Sequence, residues 1–118
     1  MEKLVGSGKT KAIGVCNYSR PYREELLAQA TVVPAVNQIE NHPCLPQQEA
    51  VDFCKEKGIH ITAYSPLGST GSPLLTAEPI VEVAKKKGVD PATVLLSWHS
   101  TYLPCRIMRE LSLTASSV

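Results

Sequence analysis

The sequence predicts an α/β fold in which parallel strands alternate with helices. Three short apolar runs begin at positions 11, 35 and 59, so their starts are 24 residues apart both times. Between these runs lie segments whose apolar residues recur at helical spacing. Strands and helices that alternate at this period are typical of βαβ units around a parallel sheet.

The three predicted strands are Lys11–Val15, Ala35–Ile39 and Ile59–Tyr64. Because helices cover both faces of a parallel sheet, we expect these strands to be buried and nearly continuous in apolar residues. The polar exceptions are therefore informative. Asn37 and Gln38 interrupt the second strand. Asn17 follows the first strand, and Tyr64 and Ser65 close the third.

The predicted helices are Arg20–Ala30, Gln47–Lys57, Pro79–Lys87 and Ala92 to about Ser100. Ser19 and Asp90 precede two of these segments and are residue types that cap a helix amino terminus. Gly58 and Gly88 stand where a left-handed residue ends a helix, and Gly8 marks the end of an earlier one. Residues 69–78 are rich in Gly, Ser and Pro and predict a loop.

Composition and charge exclude several classes of function. The chain has 118 residues, 43% of them hydrophobic, and a net charge of +1, so we expect no nucleic-acid or membrane surface. No apolar run approaches the ~18 residues of a membrane helix. The stretch MEKLVGSG lacks the apolar segment of a signal peptide, and we expect a cytoplasmic protein. The pair His42 and Cys44 has no second ligand pair, so we predict no metal site.

Chain length limits the architecture. A barrel of eight βα units typically needs about 250 residues, whereas this chain offers three strands in 118 residues. A three-stranded parallel sheet also leaves two strand edges open, and such edges can pair with another chain. The residues therefore predict part of a larger α/β fold, with pairing through exposed strand edges as one expectation.

Four blocks of sequence resemble the aldo-keto reductase family: KAIGVCNYS (Lys11–Ser19), PAVNQIENHPCL (Pro34–Leu45), FCKEKGIHITAYSPLGS (Phe53–Ser69) and PATVLLSW (Pro91–Trp98). The resemblance implies a partial (β/α)8 TIM barrel domain over residues 1–99, with about strands five to seven. Residues 100–118 are then a divergent tail and a candidate for disorder. The implied reaction is reversible hydride transfer between NADP(H) and a small carbonyl compound or alcohol.

The resemblance also assigns residues to the nicotinamide carboxamide. Asn17 and Gln38 match family positions that hydrogen-bond this group, and a side-chain amide offers both a donor and an acceptor. Cys16 matches a neighbouring position where the family usually has serine, so we expect a weaker contact there. From the residues alone, Asn17 could instead begin a turn, and Gln38 could satisfy nearby backbone.

A second set of residues follows the third strand. By the resemblance, Tyr64 stacks on one face of the nicotinamide ring, which leaves the other face open for hydride transfer. The plainer alternative is a tyrosine that covers the core. Ser65, Leu67 and Ser69 match the loop around the pyrophosphate, where hydroxyl and N–H groups suit phosphate oxygens.

No residue of this chain is assigned to catalysis. The catalytic Asp, Tyr, Lys and His of the family precede the position that Met1 matches, and none of the four tyrosines fits that motif. We therefore expect the chain alone to be inactive. Two alternatives stay open at this point: a non-catalytic cofactor-binding or regulatory fragment, and a truncated product without function.

Overall fold

The computed structural model describes residues 1–102, apart from the side chain of residue 20. Of the predicted tail, residues 103–118 lie outside the described residues, and residues 100–102 belong to a helix. The helices are α1 (Glu2–Gly6), α2 (Arg20–Gln29), α3 (Gln48–Glu56), α4 (Glu78–Lys87) and α5 (Pro91–Tyr102). The strands are β1 (Gly14–Cys16), β2 (Val36–Glu40) and β3 (His60–Tyr64). None of the helices within residues 1–102 has the length and apolar character needed to cross a bilayer.

The three strands form one sheet in the order β1-β2-β3. β1 runs parallel to β2, with Gly14 opposite Val36 and Cys16 opposite Gln38. A Cβ atom at Gly14 would lie 2.9 Å from the Val36 carbonyl oxygen. Glycine therefore permits the close backbone approach at the start of this pairing, and the register places Cys16 beside Gln38.

The chain divides into two compact units. Unit 1 is Met1–Ile39 with Gln47–Thr62, and unit 2, within the described residues, is Glu40–Pro46 with residues 63–102. In unit 1, α3 buries Ala50, Val51 and Cys54. These residues recur at three- and four-residue spacing, as the sequence predicts for one helix face. Phe53, also predicted on this face, is only half-buried.

The expectation that all strands are buried is wrong for β1. Gly14 and Cys16 are exposed, and Val15 is half-buried. The reason is position, because β1 is an outer strand of the sheet. Burial in the central strand β2 alternates instead, with Asn37 fully buried and Gln38 exposed. A strand whose side chains alternate in this way has one covered face and one open face.

Unit 2 contains the fourth and fifth helices and a 3-10 turn at Leu74–Thr76, all in contact with one another. Its buried apolar side chains are Leu74, Ala84 and Leu95. Local signals set the helix ends. Gly88 adopts a φ of 68° after α4. Asp90 accepts a 3.0 Å hydrogen bond from the Thr93 backbone N–H at the start of α5, which confirms both predicted signals.

The imidazole of His99 lies inside unit 2. The residue is 4% exposed, and neither ring nitrogen has a hydrogen-bond partner among the described residues. Burial lowers the pKa of His99, since the charged ring would lose its hydration. The backbone of Pro66 acts in the opposite direction, and nearby His42 lowers the pKa further. The folded state therefore favours the neutral ring.

Two adjacent leucines on α5 provide a matched test of the unit 2 core. Leu95 is 0% exposed, whereas Leu96 is 37% exposed. We expect Leu95→Ala to lower the free energy of unfolding by about 2–5 kcal/mol, because a buried cavity remains. Leu96→Ala is expected to cost clearly less. Urea denaturation of the full chain measures both changes, and equal costs would contradict the described packing.

Stability is expected to decrease as the pH falls from about 7.5 to about 5.5. His99 in the unfolded chain takes up a proton near pH 6.5, about its ordinary pKa, whereas folding lowers that pKa. The stabilisation is complete above the unfolded pKa and is lost as the pH falls towards the folded pKa. Urea denaturation at both pH values measures this dependence. We expect His99→Gln to flatten it and His60→Gln, at an exposed site, to preserve it; an unchanged dependence in His99→Gln would overturn the assignment.

Candidate functional site

Unit 1 brings three of the predicted residues together at the carboxyl end of the pairing between β1 and β2. We call Cys16, Asn17 and Gln38 the amide group. Cys16 pairs with Gln38 across the strands. The Asn17 backbone N–H donates a 2.8 Å hydrogen bond to the Gln38 carbonyl. All three side chains are exposed, so their polar atoms are accessible at one end of the parallel pair.

Asn17 has an unusual backbone conformation. Its φ is 55°, in the left-handed region that asparagine tolerates better than most residues. Its strand-type hydrogen bond to Gln38 is kept, while the chain turns towards α2 directly afterwards. Residues with a strained backbone conformation are common at binding and catalytic sites. The turn that the sequence offers as an alternative role for Asn17 is therefore also present.

The other predicted residues lie in unit 2, at the end of β3 and in the loop that follows. We call Tyr64–Ser69 the Tyr64 loop. Tyr64, Ser65 and Leu67 are half-buried, and Ser69 is exposed. Ser65 has a φ of 49°. Its carbonyl accepts a 2.9 Å hydrogen bond from the Gly68 N–H, which closes a tight turn.

The Tyr64 loop is packed closely around Gly68. The φ of Gly68 is 84°, and a Cβ atom at this position would collide with the Ser72 hydroxyl and approach Leu74 to 3.1 Å. The Ser72 hydroxyl in turn accepts a 3.3 Å hydrogen bond from the Leu74 N–H. Only glycine fits this turn without displacing its neighbours. The result is a compact bend that carries serine hydroxyls.

A buried asparagine, Asn41, supports the same loop, although it was not among the predicted site residues. The Asn41 backbone N–H donates a 3.4 Å hydrogen bond to the Tyr64 carbonyl. Its side-chain Nδ2 donates a 2.7 Å bond to the Pro46 carbonyl, which also accepts the Tyr102 hydroxyl at 2.9 Å. Asn41 is 0% exposed. Its polar identity directly after the second strand was the available signal.

The chemistry of these residues is that of binding. The amide group offers amide donors and acceptors. The Tyr64 loop offers an aromatic face, hydroxyls and a glycine turn. Neither group includes a paired general acid and base of the kind that proton transfer requires. His42, which was predicted to be structural, forms an isolated antiparallel β-bridge with Leu45. Its Nε2 lies 3.3 Å from Glu40 Oε1.

Comparison with known proteins identifies the relatives of this chain. The model of the Aldo/keto reductase family matches residues 1–104. The D-galacturonate reductase of Hypocrea jecorina is 64% identical over 122 residues, which covers 96% of this chain and 40% of that protein. The glycerol 2-dehydrogenase (NADP(+)) of Saccharomyces cerevisiae is 52% identical over 101 residues, which covers 84% of this chain and 32% of that protein.

Solved structures agree with the sequence relatives. Aldose reductase from Giardia lamblia matches with a TM-score of 0.82 and 40% identity, over 89% of this chain and 36% of that one. The chain thus spans about a third to two fifths of the length of its relatives. These neighbours are (β/α)8 barrels, which confirms the predicted fold class of a partial barrel. With its fold and most of its length matched, the chain belongs to the aldo/keto reductase family.

Proposed function

We propose that this chain binds NADP(H) and belongs to an oxidoreductase that reversibly reduces small aldehydes or ketones to alcohols. The observation that carries the proposal is the amide group, where strand pairing places Asn17 and Gln38 together with exposed side chains. Relatives support the cofactor, because the matched glycerol 2-dehydrogenase is named for NADP(+). The proposed setting is the cytoplasm.

Asn17 and Gln38 would hold the carboxamide of the nicotinamide. Each side chain offers one acceptor oxygen and two donor hydrogens, so each can match either end of a carboxamide. Their backbones are joined by a 2.8 Å hydrogen bond. This bond limits the movement of one residue relative to the other, and the ring orientation would follow from it. Cys16, with its exposed thiol, would add a weaker contact.

In unit 2, Tyr64 would supply a flat surface for the nicotinamide ring, and Ser65, Leu67 and Ser69 would line the pyrophosphate. The nicotinamide, when bound, supplies the hydride. A half-buried tyrosine can present one ring face to a ligand while its other face packs on the protein. The close packing of Gly68 against Ser72 would hold the loop in shape before the cofactor arrives.

Turnover by this chain alone is not expected. The proton donor of the family is a tyrosine whose pKa is lowered by a lysine, and no tyrosine here matches that motif. Tyr102 donates its hydroxyl hydrogen to the Pro46 carbonyl and stacks on Trp98 with ring centroids 4.4 Å apart. Tyr18 and Tyr22 contact each other edge to face.

The outer strands β1 and β3 are candidates for pairing with another chain.

Titration of the full chain with NADPH tests the proposal. Tyr64→Ala is expected to raise the Kd roughly fivefold, which corresponds to a loss of about 1 kcal/mol of ring stacking. Tyr22→Ala is the matched control, since Tyr22 is 64% exposed on α2 and should bind normally. With an aldehyde present, we expect binding without NADPH oxidation. Absence of binding by the unsubstituted, folded chain would refute the proposal.

Two exposed cysteines allow a second test. We expect Cys16→Ser to lower the Kd for NADPH about two- to threefold, because a hydroxyl is a better donor and acceptor than a thiol. Cys44→Ser is the matched control, because Cys44 is also exposed but lies outside the amide group. Calorimetric titration measures both. A gain shared by the two variants, or absent from both, would argue against contact between Cys16 and the carboxamide.

A further inference from the structure

Arg23 is a buried cation on α2 whose presence the proposed function does not explain. The residue is only 3% exposed, and its guanidinium carbon lies 5.0 Å from the centroid of the Phe53 ring. Removing a charged group from water costs free energy, whereas an apolar side chain would fill a buried helix position without that cost. A buried guanidinium therefore requires a specific partner.

That partner is the backbone carbonyl of Tyr18. Arg23 Nη1 donates a hydrogen bond to this oxygen, and a bond from a charged donor is stronger than one between neutral groups. The same oxygen accepts a bond of 3.5 Å from Nδ2 of Asn37, which is 0% exposed. Two buried side chains, one on α2 and one on β2, thus hold a single carbonyl group.

Asn17 lies between two fixed points of the backbone. Its own N–H donates a 2.8 Å hydrogen bond to the Gln38 carbonyl, and the Tyr18 carbonyl directly after it is held by Arg23 and Asn37. The φ of Asn17 is 55°, a conformation that persists where the surroundings impose it. The two fixed points therefore limit the directions in which the exposed Asn17 side chain can point.

The main chain of Arg23 holds the same segment. Its N–H donates a 2.9 Å hydrogen bond to the carbonyl of Ser19, the N-cap of α2. Arg23 thus binds the backbone after Asn17 twice, through its side chain at residue 18 and through its main chain at residue 19. The start of α2 is thereby tied to the end of β1.

From these contacts we infer that Arg23 is a positioning residue for Asn17, aligning its amide for the carboxamide of the nicotinamide. The inference rests on the proposed function. Arg23 acts through the Tyr18 carbonyl and touches no part of the cofactor. A side chain that is aligned before the ligand arrives loses less conformational freedom on binding. We therefore expect Arg23 to affect the nicotinamide end of the cofactor and no other part.

Hydrogen exchange on the ligand-free full chain tests the positioning without any cofactor. In Arg23→Met we expect the Asn17 N–H to exchange at least about threefold faster, because the backbone beside it is less constrained. The His60 N–H, which donates a 2.9 Å bond to Ala35 in the same unit, should keep its rate. An unchanged Asn17 rate, or equal acceleration at both sites, would overturn the inference.

Calorimetric titration then compares NADPH with 2′-phospho-ADP-ribose, which lacks the nicotinamide. We expect Arg23→Met to raise the Kd for NADPH roughly fivefold, as the loss of about one hydrogen bond implies, and to leave the Kd for the second ligand unchanged. In an Asn17→Ala background the same substitution should have no further effect. Equal weakening for both ligands, or additive losses in the double variant, would contradict action through Asn17.

Lys57→Met is the matched control. The Lys57 ammonium also lies near the Phe53 ring, at 5.9 Å, but the residue is exposed. This variant should keep both the Asn17 exchange rate and the Kd for NADPH. Weaker NADPH binding in Lys57→Met, matching that in Arg23→Met, would assign the effect to charge near the ring and overturn the inference.

Arg23→Lys keeps the test decisive if Arg23→Met does not fold. Lysine retains a charged donor but lacks the planar guanidinium, so we expect a two- to threefold higher Kd for NADPH, again only when Asn17 is present. Unchanged binding, or the same loss in the Asn17→Ala background, would count against the positioning role. If the unsubstituted chain does not bind NADPH, the proposed function fails, while the exchange rates still report whether Arg23 holds Asn17.

Discussion

Close backbone approach between β1 and β2 determines where the polar side chains of unit 1 lie. Gly14 allows β1 to approach Val36, and the parallel register then brings Cys16 opposite Gln38. The next residue, Asn17, keeps the ladder with a 2.8 Å hydrogen bond to the Gln38 carbonyl. A shift of one residue would turn every β1 side chain to the opposite face. The amide group depends on this register.

Buried polar side chains also hold the backbone of this region in place. The Tyr18 carbonyl accepts hydrogen bonds from Arg23 Nη1 and, at 3.5 Å, from Asn37 Nδ2. Asn37 also contacts the Cys54 sulfur at 3.8 Å. These contacts fix the backbone that directly follows Asn17. A buried network of this kind is costly when it is incomplete, and the Nε of Arg23 has no hydrogen-bond partner among the described residues.

Left-handed non-glycine residues occur at three described positions: Asn17, Gln47 and Ser65. Each lies where the chain leaves a strand or enters a helix. Such conformations cost free energy for residues with a Cβ atom, and they persist where the surroundings impose them. Two of the three coincide with residues predicted to contact the cofactor. The third, Gln47, directly precedes α3.

Much of the candidate site was predictable from sequence because its signals are local. Polar residues that interrupt or follow apolar strands located Asn17, Gln38 and Tyr64, and the family resemblance gave them roles. The side-chain roles themselves remain predictions that ligand titration can test. Arg23 could not be found in this way. An arginine on an amphipathic helix looks like a surface residue, and only its packing against Phe53 and Tyr18 shows that it is buried.

The sequence by itself determined the positions of the helices, several of their ends and the alternation of strands with helices. Capping by Asp90 and the left-handed Gly58 and Gly88 involve only neighbouring residues, so their physics is contained in a few positions of the chain. Tertiary structure alone decided that β1 is exposed, that Gln38 and Cys16 meet, and that Arg23 is buried. Burial and strand pairing depend on which distant segments come together, and no local pattern records that choice.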